Sequence, residues 1–431
     1  MLDLKFVRAN VDVVRADLKK RNAPQKEAWL DEVLESDKRV RELSAEAERL
    51  RAKRNKASQE VNTLKKAGKE TEAKQLIIEA AKIPAEIKGL EEEAAKLSEK
   101  ITYYLMRLPN VLHESVPVGA DDSGNAVLRE WGNKPSFDFE PKGHVDLLES
   151  LGVADLEAAG NVAGARFYYL KNDLVMLDYA LLKYGLDFLH KRGYGLIEPP
   201  YLMRREPYEG VTDLADFEGV MYKIEGEDLY LIATSEHPMA AMLANSILEP
   251  DQLPILLAGT SPCFRKEAGA HGKDTKGIFR VHQFQKIEQF IFCKPQESWG
   301  YHEKLIRNAE EYFQSLGIPY RVVSICTGDI GTVAAKKYDI EAWMPAQKTF
   351  REVVSCSNCT AYQAARLKIR FRKEKGGEEK EWVHTLNSTL VATSRAIVAI
   401  LENFQRKDGT VAIPEVLWPY MNGVTELKPK K

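Results

Sequence analysis

The sequence predicts an α+β protein: a body built on a largely antiparallel β-sheet flanked by helices, preceded by a long antiparallel helical hairpin. Three observations carry this prediction. Apolar or small residues recur at heptad spacing from Val33 to Leu64 and again from Leu76 to Leu108. Beyond residue 110, strand-like and helical stretches alternate irregularly, which favours α+β over regular βαβ units. Neither Gly-x-Gly-x-x-Gly nor Gly-x-x-x-x-Gly-Lys-Ser/Thr occurs, so neither a dinucleotide fold nor a P-loop is indicated.

The first segment reads Val33, Val40, Ala47 and Val61 interleaved with Leu43, Leu50, Ala57 and Leu64, a seam broken only at Arg54. After a polar, Gly-containing stretch from Lys65 to Lys74, it resumes as Leu76, Ala80, Ile83, Ile87, Leu90, Ala94, Leu97, Ile101, Tyr104 and Leu108. At about 1.5 Å of rise per residue the first helix spans roughly 45 to 50 Å, and the short connection returns the second antiparallel to it. Pro84 lacks a backbone donor and is expected to kink the second helix locally. Leu108-Pro109-Asn110 closes the hairpin, so the domains are expected at 1–110 and 111–431.

Charge is unevenly spread along this hairpin. From Arg49 to Lys74 there are nine basic residues (Arg49, Arg51, Lys53, Arg54, Lys56, Lys65, Lys66, Lys69 and Lys74) against the acidic Glu60, Glu70 and Glu72. Closely spaced cations on a rigid rod can displace counterions from RNA phosphates without reading bases; a solvated coiled-coil face is the plainer alternative. The whole chain is balanced, 62 Lys and Arg against 64 Asp and Glu, so any polyanion must bind a local patch.

Of the 431 residues 44% are hydrophobic and 29% charged, which supports a sizeable core and excludes a disordered or fibrous class. Five cysteines, an odd number, argue against a disulfide framework and for a reducing compartment. Met1 to Phe6 shows no basic segment ahead of an apolar one, and no apolar run approaches the roughly 20 residues of a membrane span, so a cytoplasmic protein is expected. Cys356-Ser357-Asn358-Cys359 has the spacing of half a zinc site but no second pair, which favours two ordinary cysteines and no structural zinc.

In the body, Leu174 to Leu189 carries a broad helical stripe stopped by Gly193, followed by the strand-like Gly195-Leu196-Ile197-Glu198-Pro199-Pro200. Ser261 to Glu267 reads as a strand, Ala268 to Ile278 as a loop holding His271 and Lys273, and Phe279 to Ile291 as the returning strand. Alternation would place Arg280, His282, Phe284, Lys286 and Glu288 on one face, a floor suited to a polar ligand or a solvated face with cross-strand ion pairs. Arg395 sits between a strand-like Trp382 to Asn387 and an apolar helix from Ala396 to Phe404, where its guanidinium needs an anion: Glu402 or a ligand phosphate.

These pieces resemble class II aminoacyl-tRNA synthetases. Arg265-Lys266-Glu267, the loop after it, Arg280 with Phe284, and Arg395 resemble their motifs 2 and 3, and the helix-strand unit around Gly193 resembles motif 1. Thr234-Ser235-Glu236, Arg280 to Phe284 with Glu288, Tyr338 to Pro345, Ser355 to Cys359 and Leu401 to Phe404 resemble, in order, the seryl-tRNA synthetase family. Asn387 to Arg395 lacks the glycines of the bacterial motif and resembles the archaeal and eukaryotic forms.

The resemblance implies an ATP-dependent serine–tRNA ligase acting through Mg²⁺, with ATP, L-serine and tRNA(Ser) as partners, tRNA(Sec) as a second candidate acceptor, and a homodimeric assembly. Arg265, Arg280 and Arg395 would be catalytic, Arg265 on the α-phosphate and the other two on the triphosphate. Lys266, Glu267 on the adenine side and Phe284 stacked on the ring would complete the ATP set, with backbone contacts from Val281, Val353 and Val354. Glu352 and Ser355 would ligate Mg²⁺. Thr234, Ser235, Glu236 and Glu288 would grip serine, with Asn387 and Thr389 closing around its side chain, and the basic arm would grip tRNA. A ligase charging a carrier protein would lack the arm, a silent regulatory relative would be expected to lose Arg265, Arg280, Glu352 or Arg395, and a coiled-coil scaffold leaves the ordered arginines unexplained.

Overall fold

The computed structural model describes residues 1–213, 217–267 and 274–430, except the side chains of 217 and 218. The loop residues His271 and Lys273 and the last residue of the Lys-Pro-Lys-Lys tail lie outside them. The chain divides into two compact units: Leu2–Leu108, and Pro109–Lys431 together with Met1.

In the first unit, short helices α1 (Leu4–Ala9) and α2 (Val11–Lys20) precede α3 (Pro24–Lys66), whose 43 residues extend about 65 Å. Burial follows the heptad seam: Val33, Leu43, Ala47, Ala57 and Val61 are buried and Arg54 is exposed. The pairs Glu32–Lys100, Arg39–Glu93 and Arg51–Glu91 fix the antiparallel sense, because the first member advances along the chain as the second retreats. The returning limb differs from expectation. It is broken into α4 (Glu70–Ala80) and α5 (Ile83–Leu105), with Pro84 in the first turn of α5. A proline inside a continuous helix would clash with the carbonyl four residues back, here that of Ala80; a new first turn removes both the clash and the need for its missing N–H.

The second unit is organised by an eight-stranded sheet. Its strands are β1 (Ala126–Trp131), β2 (Gly195–Ile197), β3 (Ile255–Phe264), β4 (Gln283–Cys293), β5 (Tyr320–Ser324), β6 (Lys336–Met344), β7 (Thr349–Thr360) and β8 (His384–Ala392), in the order β1-β5-β6-β7-β8-β4-β3-β2. Every pairing is antiparallel except edge strand β2 on β3. The α+β expectation holds. Helices α6 (Asp173–His190), α7 (Ser298–Ser315) and α8 (Thr393–Asn403) bury Leu177, Leu181, Ile306, Phe313, Ile397 and Ile400 in one core with Ile287, Ile291 and Leu390 of the sheet.

Two glycines explain how α6 meets the sheet. A Cβ at Gly185 would lie 2.7 Å from Ile287 Cδ1, so the stripe is interrupted where the helix approaches closest. Gly193 follows the helix at φ 83°, a conformation that costs a side-chain-bearing residue about 1 kcal/mol or more.

Two strand limits differ from those the sequence indicated. β3 ends at Phe264, leaving Arg265 to Glu267 past its end, with Glu267 at φ 50°. β4 starts only at Gln283, so Arg280 and His282 precede it and do not share the face of Phe284, Lys286 and Glu288.

Candidate active site

A cavity of about 390 Å³ opens on the sheet and is lined by residues of β4, β7, β8 and the start of α8. It gathers Thr234, Glu236, Arg265, Phe284, Glu288, Glu352, Val353, Ser355, Asn387, Thr389 and Arg395 of the sequence-derived set. Strand register produces much of this convergence. Thr389 lies directly opposite Glu288 in the β8–β4 pair, just before an irregularity in the ladder.

One end of the cavity is cationic and aromatic. The Arg265 guanidinium lies 5.2 Å from the Phe284 ring centroid and donates through Nε to the Ala233 carbonyl at 3.4 Å. Its backbone is tied to His282: the Arg265 N–H donates to the His282 carbonyl at 2.9 Å, and His282 Nδ1 lies 2.8 Å from the Arg265 carbonyl oxygen and 2.9 Å from the Tyr222 hydroxyl. Arg395, in the first turn of α8, donates to the Glu352 carbonyl at 3.0 Å and lies 3.2 Å from its Oε1. Its carboxylate partner is therefore Glu352. Glu402, the partner considered from the sequence, lies about two turns further along α8, buried beside His144 and the backbone N–H of Ala346. Partial withdrawal from water opposes the charge on Glu352, whose side chain stays 46% exposed, but Arg395, Lys337 and Arg265 together hold its carboxyl below the ordinary range. Behind it, burial and the charge of Glu352 push Asp339 up to about 7 against the opposing pull of Lys337. Asp339 faces Ser355 across the β6–β7 ladder.

The other end is a buried polar network. Lys286 and Glu288 pair at 2.5 Å with side chains only 6% and 2% exposed, so this is an internal ion pair. Thr389 Oγ1 donates to Glu288 Oε2 at 3.1 Å and accepts from Lys286 Nζ at 3.5 Å. Glu236 Oε1 accepts from Asn387 Nδ2 at 3.1 Å and from Gln363 Nε2 at 2.9 Å. Burial, reinforced by Glu288, pushes the Glu236 carboxyl up to about 7. Burial and the cations Lys286 and Arg265 push His237 down to about 3, so its ring is neutral at neutral pH.

Several sequence-derived residues fall outside the cavity lining. Arg280 binds Glu267 Oε2 at 3.1 Å and lies 3.7 Å from Asp274, which in turn bonds Arg351 at 2.6 Å. Val281 and Val354 are buried in the core, Ser235 donates to the Gly259 carbonyl at 3.0 Å, and the Lys266 N–H donates to Val220. Glu267 lines a smaller adjoining cavity shared with Arg265 and Glu236. Cys356 and Cys359 are buried free thiols, and burial raises both well above the ordinary range. Sequence reasoning placed Lys286 on the candidate ligand floor without giving it a role, and missed Lys337 and Gln363 as parts of the site. Lys286 carried a signal, a lysine on a strand of aromatic and β-branched residues; Gln363 carried none.

A polar cavity on an antiparallel sheet, holding an arginine beyond one strand, an aromatic ring on the next and a second arginine at a helix start, defines a class II aminoacyl-tRNA synthetase core. The model for the class II core domain of synthetases for G, H, P, S and T matches residues 220–404, and the seryl-tRNA synthetase N-terminal domain matches residues 1–112. The serine–tRNA ligase of Methanocella arvoryzae is 60% identical over 99% of this chain and 100% of its own. The crystal structure of Pyrococcus horikoshii seryl-tRNA synthetase complexed with ATP superposes with a TM-score of 0.97 at 53% identity, covering all of both chains. The cytoplasmic serine–tRNA ligase of Naegleria fowleri in complex with AMP gives 0.90 at 40% identity over 100% of this chain and 99% of that one. The chain belongs to the seryl-tRNA synthetase family.

Proposed function

We propose that the protein is a cytoplasmic serine–tRNA ligase that forms seryl-adenylate from L-serine and ATP and passes the seryl group to the terminal ribose of tRNA(Ser). The observation carrying this is that phosphate-directed and amino-acid-directed groups share one cavity: Arg265, Arg395 and Phe284 at one end, Glu236, Glu288 and Thr389 at the other. The serine carboxylate attacks the α-phosphorus, a carboxyl O–P bond forms, and the bond to the β-phosphate bridging oxygen breaks with release of pyrophosphate. Charge grows on phosphate oxygens, and Arg265, steadied by the Ala233 carbonyl and His282, is positioned to meet it without reorganising. Phe284 offers an aromatic ring in the cavity for adenine to stack on, 5.2 Å from the Arg265 guanidinium.

Glu236, once ionised, is matched to the serine ammonium. The paired Glu288 and Thr389 are matched to the serine hydroxyl; an alanine there would forgo the hydrogen bonds that the hydroxyl can make to them, which is the larger source of selectivity in such a site. Glu352 and Ser355 supply hard oxygen donors in the cavity, and the buried Asp339 Oδ1 beside them has no hydrogen-bond partner among the described residues, a donor set suited to Mg²⁺. When bound, Mg²⁺ would neutralise phosphate charge.

The exposed Lys53, Arg54, Lys56, Lys65 and Lys66 form no ion pair among the described residues, which supports the Leu2–Leu108 unit as a tRNA-gripping domain. Exposed Met176, Tyr179 and Leu196 along α6 and β2 support a homodimer through that face. Charging of tRNA(Ser) transcript with labelled serine tests the reading: ester-linked label on the tRNA supports it, and adenylate formation without transfer would restrict the function to activation.

A further inference from the structure

We propose that Gln363 is the positioning residue for amino-group recognition, holding the Glu236 carboxylate ionised and aimed at the ammonium of the substrate. The inference rests on the serine-activating reading above. Gln363 lies in the short helix Tyr362–Leu367 and is fully buried. Its Nε2 donates to Glu236 Oε1 at 2.9 Å and to the Val211 carbonyl at 3.2 Å, and its Oε1 accepts from Thr385 Oγ1 at 2.6 Å. Thr385 is itself fully buried on β8, so the amide cannot rotate without losing three hydrogen bonds at once. Asn387 Nδ2 donates to the same Glu236 oxygen, which leaves Oε2 as the atom available to a ligand.

The electrostatic surroundings make this support consequential. Glu236 faces Glu288, which disfavours its charge, and Lys286 and Arg265, which favour it, with the Cys359 thiol also nearby. Burial dominates and raises the carboxyl towards neutral pH, where hydrogen bonds from amide donors favour the ionised form. An amide donor, which bonds the carboxylate more strongly than the neutral acid, thus helps set how much of the site is competent to receive a cation at neutral pH.

The test is ATP–pyrophosphate exchange as a function of pH, with wild type and Gln363→Met, which keeps the volume and removes the donor. The KM for serine is expected to rise roughly tenfold with the KM for ATP within about twofold, since one charge-assisted bond is lost on the amino-acid side only. The acidic limb of kcat/KM for serine should move up by about one pH unit. Inhibition by 3-hydroxypropanoate, which lacks the amine, should be unchanged. Thr385→Val, which removes only the bond to Gln363 Oε1, should shift the limb in the same direction by less. An unmoved limb in both variants, or equal loss of affinity for serine and 3-hydroxypropanoate, would overturn the inference. Failure of the serine-activating reading would look different: the wild type itself would not exchange with serine.

Discussion

Removing Lys286 while leaving Glu288 should destabilise the second unit strongly. The pair is 2.5 Å apart with side chains 6% and 2% exposed, so Lys286→Met strands an almost fully buried carboxylate, at a cost of about 3 to 5 kcal/mol. The unit spans about 320 residues, whose unfolding entropy near the melting temperature is roughly 0.7 kcal/mol per degree. The expected fall in Tm is therefore about 4 to 7 °C. Lys286→Met combined with Glu288→Gln replaces the pair by neutral groups of similar volume and should recover most of that loss, because no charge is left buried. Differential scanning calorimetry on the three proteins checks this. If the single variant melted within about 1 °C of wild type, or the double variant lost as much as the single, the description of an internal ion pair supporting Thr389 would be refuted.

Arg265→Ala should lower serine-dependent pyrophosphate exchange by about 10²- to 10³-fold while a filter-binding assay finds tRNA affinity unchanged. Changing Lys53, Arg54, Lys56, Lys65 and Lys66 to Glu should do the reverse, weakening tRNA binding and flattening its salt dependence with exchange retained. His302 stacks on Tyr338 and is pushed down to about 4 by burial, so its folded pKa lies below its unfolded value. Its contribution to stability is present above pH ~6.5 and is lost as pH falls towards the folded value, at about 1.4 kcal/mol per unit. Between pH 6.5 and 5 the wild type should therefore lose about 2 °C more in Tm than His302→Gln, measured by calorimetry at both pH values.

The heptad seam, the antiparallel return and the α+β body were legible because apolar periodicity reports directly on which faces are covered. Pro84 was legible as a disturbance but not as a break, since a proline fits a first helical turn as well as a kink. Phe284, Lys286 and Glu288 were readable as one strand face; Arg280 and His282 were not separable from it, because nothing in their residue types marks where β4 begins. The buried polar network was the least legible part. Gln363 is brought to Glu236 from 127 positions away by the packing of a short helix, and neither residue type nor local spacing encodes that meeting. Likewise Glu352 rather than Glu402 pairs with Arg395 because β7 and the start of α8 are adjacent in space, whereas Glu402 lies about two turns along the same helix beside His144.

The central claim is that this cavity activates serine. ATP–pyrophosphate exchange without tRNA, run separately with each of the twenty amino acids in the presence of Mg²⁺, tests it most directly. The account predicts exchange with serine alone, abolished by Arg265→Ala. Exchange with a different amino acid, or none with serine from folded protein, would contradict it.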